Sequence, residues 1–101
     1  MTIRAFSRST LSAHWRAAGR EDSEGPLRAW FAEAARADWT SPADVKARYP
    51  HASFVGNDRI VFNIGGNKYQ LIVRIDYLGR VVLVRFVGTH AEYDTINAAI
   101  V

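Results

Sequence analysis

The chain has 101 residues, 49% of them hydrophobic and 23% charged, with no Cys. That size fits one small domain with one core and leaves no room for a separate regulatory domain; the composition excludes wholesale disorder, and collagen-like and coiled-coil classes. The missing cysteines exclude disulfide scaffolds, zinc–thiolate sites and cysteine nucleophiles, and the formal net charge of +3 is modest for a nucleic-acid binder, so the distribution of charge matters more than its total.

In chain order, the Met1-Thr2-Ile3-Arg4 start lacks the apolar run of a signal peptide. No stretch approaches 20 apolar residues, so the expected compartment is the cytoplasm, with no membrane partner. Ile3 to Phe6 predicts a short strand. Ser9 or Thr10 is placed to cap a helix through Leu11, Trp15 and Ala18 that stops at Gly19. Glu21-Asp22-Ser23-Glu24-Gly25-Pro26 supplies acids and a Pro at a helix start, and Leu27, Trp30, Phe31, Ala34 and Ala35 follow at helical spacing. Ser41-Pro42-Ala43-Asp44 predicts a third helix, with Val45 and Tyr49 on one face and Pro50 ending it.

Beyond Pro50 the pattern turns to strand. Arg59 to Ile64 and Lys68 to Tyr77 form a hairpin about Gly65-Gly66-Asn67, Leu78-Gly79-Arg80 turns the chain again, and Val81 to Val87 is a third long strand. The short connections imply an antiparallel meander of three to five strands backed by the N-terminal helices. His90 to Ile100, with Tyr93, Ile96 and Ile100 at helical spacing, predicts a short closing helix. The fold class is α+β, one domain over residues 1–101.

Residues 59–90 carry Arg59, Lys68, Arg74, Arg80 and Arg85 against Asp76, five cations minus one acid, or +4. Strand alternation puts Tyr69, Leu71, Val73, Ile75 and Tyr77 on one face, and Val82, Val84 and Phe86 on a wholly apolar face of the third strand. With each apolar set toward the helices, Arg59, Asn63, Lys68, Arg74 and Arg85 converge on the other side. A one-sided sheet must show polar residues to water, which is one reading. The other is a basic face that holds an RNA phosphodiester and stabilises the added charge of its transition state.

Other patterns carry less. Gly65-Gly66-Asn67-Lys68 lacks phosphate-loop spacing and reads as a hairpin turn; His14 and His51 have no partner at ligand spacing; Trp15, Trp30 and Trp39 read as core; and no Gly-x-Ser-x-Gly elbow accompanies the Ser, His and Asp residues. Neither a metal nor a cofactor is expected. Glu92 and Asp94, the acids near His90, point apart on a helix and make a poor two-metal clamp.

Arg59-Ile60-Val61-Phe62-Asn63-Ile64-Gly65-Gly66-Asn67-Lys68-Tyr69, followed by Val84-Arg85-Phe86-Val87-Gly88-Thr89-His90-Ala91-Glu92-Tyr93-Asp94, resembles the HigB family of type II toxin–antitoxin systems. The resemblance runs from about Ala43 to Asn97 and includes the Asp44-Val45-Lys46 to Tyr49-Pro50 segment. It implies a compact RelE/ParE-like fold and ribosome-dependent cleavage of translated mRNA. It also implies neutralisation by a HigA-type helix-turn-helix antitoxin, with no sequence-specific DNA binding by the chain alone. Carried over by residue, it falls on Asn63, Lys68, Arg85, His90, Tyr93 and Asp94, with Arg74 at the basic position of the second long strand.

The chemistry that fits is metal-independent attack by the substrate's own 2′-OH, for which a protein supplies a base, an acid and cations. His90 is the candidate acid or base, since histidine exchanges protons near neutrality; it is also placed to start the final helix. Lys68 and Arg85 would stabilise the scissile phosphate, and Arg59, Asn63 and Arg74 would position RNA. Tyr93 would stack on a base or assist proton transfer, or else pack the tail onto the sheet. Two other functions use the same residues: a noncatalytic RNA- or ribosome-binding module, and a gyrase-directed toxin of the ParE type.

Overall fold

The computed structural model describes residues 4–6, 8–66 and 68–101. Strand β1 (Arg4–Phe6) leads to helix α1 (Arg8–Arg16), a 3-10 turn (Glu21–Ser23), α2 (Glu24–Arg36) and α3 (Pro42–Arg48). Strands β2 (Ser53–Gly56), β3 (Arg59–Ile64), β4 (Tyr69–Asp76) and β5 (Val81–Thr89) follow, and α4 (His90–Tyr93) comes last. The sheet order is β1-β5-β4-β3-β2. Strands β2 to β5 form the expected antiparallel meander, whereas β1 pairs parallel to β5, so the sheet is mixed. Three helices separate β1 from the meander, and a connection of that length permits parallel pairing.

Local chemistry accounts for the boundaries. Gly19, at φ +83°, turns the chain after α1, which begins at Arg8, so Ser9 and Thr10 lie inside the helix rather than capping it. Of the predicted first strand, Ile3 lies outside the described residues. At α3, Pro42 occupies the first turn, but Ser41 makes no side-chain cap bond; Asp44 instead accepts from the Thr40 N–H and hydroxyl, both at 2.8 Å. Asn57 (φ +51°) and Asp58 (φ +60°) form the two-residue turn between β2 and β3. The closing helix is one turn, His90–Tyr93; residues beyond it are turns, not the helix their apolar spacing predicts.

The core lies between the helices and one sheet face. Leu11, Trp15, Leu27, Trp30, Ala34 and Val45 pack on Ile60, Phe62, Ile64, Tyr69, Leu71, Val73, Ile75, Val82 and Val84, and all three tryptophans are buried. A bulge changes the expected facing of β5: Ile72 pairs with Phe86 but Val73 with Val84, leaving Arg85 as the extra residue. Past it, Val87 rather than Phe86 falls opposite Leu71 and packs against the core.

Candidate functional site

Away from the helices, β3, β4 and β5 build an outer face from Arg59, Val61 and Asn63, from Gln70, Ile72 and Arg74, and from Leu83, Arg85 and Phe86. Its centre is closed to water: Ile72 is 0%, Val61 4% and Gln70 4% exposed, so the face is not polar and solvated throughout. The cations gather at one end. Arg59 sits directly opposite Arg74 across the β3–β4 ladder, and Arg74 opposite Leu83 on β5. Like charges directly opposite weaken a sheet, a local cost that proteins keep chiefly where function needs it. Arg85 joins the group on the face that alternation from Leu83 gives it, and as the extra residue of the bulge it has no partner opposite it on β4. Arg59 Nη2 and Arg85 Nε both donate to the Val101 carbonyl oxygen, at 3.0 and 3.3 Å.

The remaining predicted residues lie toward the opposite end. Asn63 opposes Gln70, which opposes Gly88, and His90 follows where β5 ends. Arg85 and His90 lie five positions apart along the chain, about 16 Å of strand. His90 is exposed at the first position of α4, with Nδ1 3.6 Å from Asp94 Oδ2 and its ring edge-on to Tyr93 at 6.1 Å between centroids. Asn63 lines a groove of about 410 Å³ with Tyr49, Pro50, His51 and Phe62. The expected convergence is therefore divided in two: Arg59, Arg74 and Arg85 at one end, His90, Tyr93 and Asn63 at the other.

Lys68 departs from the expected grouping. It follows the Gly65-Gly66 turn, both glycines at positive φ, and its ammonium bonds the Asp22 carboxylate, which also accepts from the Tyr69 hydroxyl. The Lys68 bond, then that of Tyr69, holds the Asp22 carboxyl below its ordinary range, and Asp22 raises the Lys68 ammonium. Both side chains are more than half exposed, so water and salt weaken the pair and leave Lys68 able to exchange partners.

The helix carrying His90 is fixed by residues that strand patterning does not reveal. Thr89 and Glu92 form a reciprocal capping box: Glu92 Oε1 accepts from the Thr89 N–H at 2.8 Å, and Thr89 Oγ1 accepts from the Glu92 N–H at 3.3 Å. Arg20, from the turn after α1, completes the arrangement with Nη2 2.9 Å from the same Glu92 oxygen. The Thr89 N–H and then Arg20 keep the Glu92 carboxyl below its ordinary range. Thr89-x-x-Glu92 is legible as a cap, whereas a contact from Arg20 across 72 positions has no local signal. Among the described residues no three His, Asp or Glu side chains gather as a metal site, and no helix is long and apolar enough to cross a membrane.

Comparison with protein families matches residues 23–96, about three quarters of the chain, to the HigB toxin model, described as the RelE-like toxic component of a toxin–antitoxin system. The match takes in β2 to β5 and α4, and with them every predicted site residue. No curated protein matches the chain.

Proposed function

The chain belongs to the HigB toxin family, RelE-like toxic components whose partner is an antitoxin, and from that premise we propose that it is a ribosome-dependent endoribonuclease that cuts translated mRNA. In this reading residues 1–101 act as a single cytoplasmic toxin domain without metal or cofactor, neutralised by a HigA-type helix-turn-helix antitoxin. The observation that carries it is the outer face: three arginines at one end, a histidine–carboxylate pair at the other, and an extended strand between them. About 16 Å spans several phosphates of single-stranded RNA, so the arginine end grips backbone while the bond near His90 is cut.

The substrate's 2′-OH loses its proton to a base and attacks the adjacent phosphorus. The P–O5′ bond breaks, and the departing 5′ oxygen takes a proton from an acid, leaving a 2′,3′-cyclic phosphate and a 5′-hydroxyl. His90 exchanges one of these protons through Nε2, with the Asp94 carboxylate 3.6 Å from Nδ1 on the other side of the ring. Lys68, released from Asp22, stabilises the charge that grows on the phosphate oxygens, and Arg85 holds a phosphate further along the strand. Tyr93 stacks on a base beside His90, and Asn63, Arg59 and Arg74 position the strand.

The test is cell-free translation with the purified chain, followed by mapping of mRNA ends. The expected cuts carry 2′,3′-cyclic or 3′-phosphate and 5′-hydroxyl termini; His90→Ala or Lys68→Ala lowers their rate on the order of a hundredfold, and Arg85→Ala weakens RNA binding instead. Intact mRNA with folded protein bound to ribosomes would make the chain a noncatalytic binder. Termini bearing 5′-phosphate would overturn attack by the 2′-OH.

A further inference from the structure

The arginine end of the outer face is already occupied by the chain itself. Arg59 Nη2 and Arg85 Nε close on one oxygen, the Val101 carbonyl, and Asn57 Nδ2 donates to the Ala99 carbonyl at 2.9 Å. The segment has its own turn, with the Ile100 and Val101 N–H groups both donating to the Asn97 carbonyl at 3.1 Å and the Ala99 N–H to Asn97 Oδ1 at 3.0 Å.

Two features distinguish this contact from ordinary packing. Two guanidinium groups converge on a single oxygen, whereas such donors pair best with groups offering several. The mismatch shows at Arg59: Nη1 donates to the Asn57 carbonyl and Nη2 to Val101, while Nε is buried with no partner among the described residues. A phosphate would meet that donor with a second oxygen. Ile100, its largest apolar side chain, is 69% exposed, so the segment's apolar attachment falls to the half-buried Ala98, Ala99 and Val101. A segment secured by a few hydrogen bonds with little apolar burial opens at low free-energy cost.

We propose that residues 97–101 are an intramolecular competitor for RNA, with the Val101 oxygen held where a phosphodiester oxygen binds between Arg59 and Arg85. The proposal rests on the RNA reading above and adds its regulation: the arginine end accepts RNA only after the segment lifts away. Asn57, on the β2–β3 turn, is the latch. Apparent RNA affinity is then the intrinsic affinity reduced by the fraction of molecules in the open state.

The experiment uses the full chain and a single-stranded RNA hexanucleotide, followed by amide NMR and by fluorescence anisotropy. On saturation with RNA, the amides of Ala99, Ile100 and Val101 should move to random-coil positions and lose protection from solvent exchange. Asn57→Gly removes the latch and suits the positive φ at that position, and should tighten RNA binding about three- to tenfold, the worth of one hydrogen bond. RNA that binds while those amides keep their shifts and protection would overturn the proposal and leave the RNA reading standing, whatever the variant does. RNA that binds neither protein would overturn both.

Discussion

At the scale of single residues, His14 shows how an unremarkable position in the sequence acquires a distinct chemistry in the fold. It sits within α1, 6% exposed, with Nδ1 3.0 Å from Ser23 Oγ and its ring edge-on to Tyr69. Ser23 Oγ donates to the Arg20 carbonyl at 2.7 Å, so it accepts from Nδ1–H, and Nε2 is buried and unpartnered among the described residues, which disfavours a second proton on the ring. Burial, and then the nearby Arg20, lower the His14 pKa below 6.5, while Glu92 and Asp22 oppose the shift. The unfolded chain thus takes up a proton at higher pH than the folded one. Stability from neutral His14 is present above pH 6.5 and is lost as the pH falls from there through the lower folded-state value. Melting temperature should accordingly fall between pH 7.5 and 5.5, and fall less in His14→Gln; equal slopes for the two proteins would show that His14 does not couple to folding.

Among the elements, the junction of β5 and α4 is the tightest. Gly88 lies in the strand just before Thr89, and a Cβ there would meet Phe86 Cζ at 2.7 Å and Glu92 Oε1 at 2.9 Å. Glu92 Oε1 holds both Thr89 and Arg20, so it gives way only by losing those bonds. Gly88→Ala should therefore cost about 1–3 kcal/mol in urea unfolding. It should also loosen α4, lowering mRNA cleavage more than ribosome binding; a neutral substitution in both measurements would mean that the junction relaxes freely. The same junction marks the limit of what alternation reveals. Hydrophobic period and turn residues carry β3, β4 and most of β5, because each strand buries one face against helices whose own stripes are legible at Leu27, Trp30 and Ala34. The bulge at Arg85 is invisible to alternation, since one extra residue inverts the pattern only beyond it, at Phe86 and Val87. Strand β2 is short and largely exposed, so it lacks an apolar face to read, although Asn57-Asp58 is a hairpin signal. For the site, the arginine row follows from strand register, whereas the hold on Val101 and Ala99 does not, because those acceptors are backbone carbonyls that any residue supplies.

For the molecule as a whole, the arrangement of charge decides more than its sum. The sequence has 13 Lys and Arg against 10 Asp and Glu, but many of these cancel locally. Arg20 meets Glu92, Arg28 meets Glu24, Arg48 meets Glu33, Lys68 meets Asp22 and Arg80 meets Asp38. Arg59, Arg74 and Arg85 pair with no Asp or Glu side chain among the described residues, and all three lie on the outer face of the sheet. The field that attracts a polyanion is therefore concentrated at one end of that face. Each phosphate neutralised there releases counterions from single-stranded RNA, so the logarithm of the binding constant should fall with the logarithm of salt concentration, with a slope of about −0.7 per contact. Three contacts give a slope of about −2 for a short RNA, and Arg74→Ala should bring it to about −1.4. Arg74 is the informative choice because it is exposed and its loss leaves the Arg59 and Arg85 bonds to Val101 in place. Anisotropy titrations across a range of monovalent salt check this directly. A slope near zero would assign RNA binding to base stacking in the groove beside Asn63, and a slope unchanged in the variant would place the strand away from the arginine end.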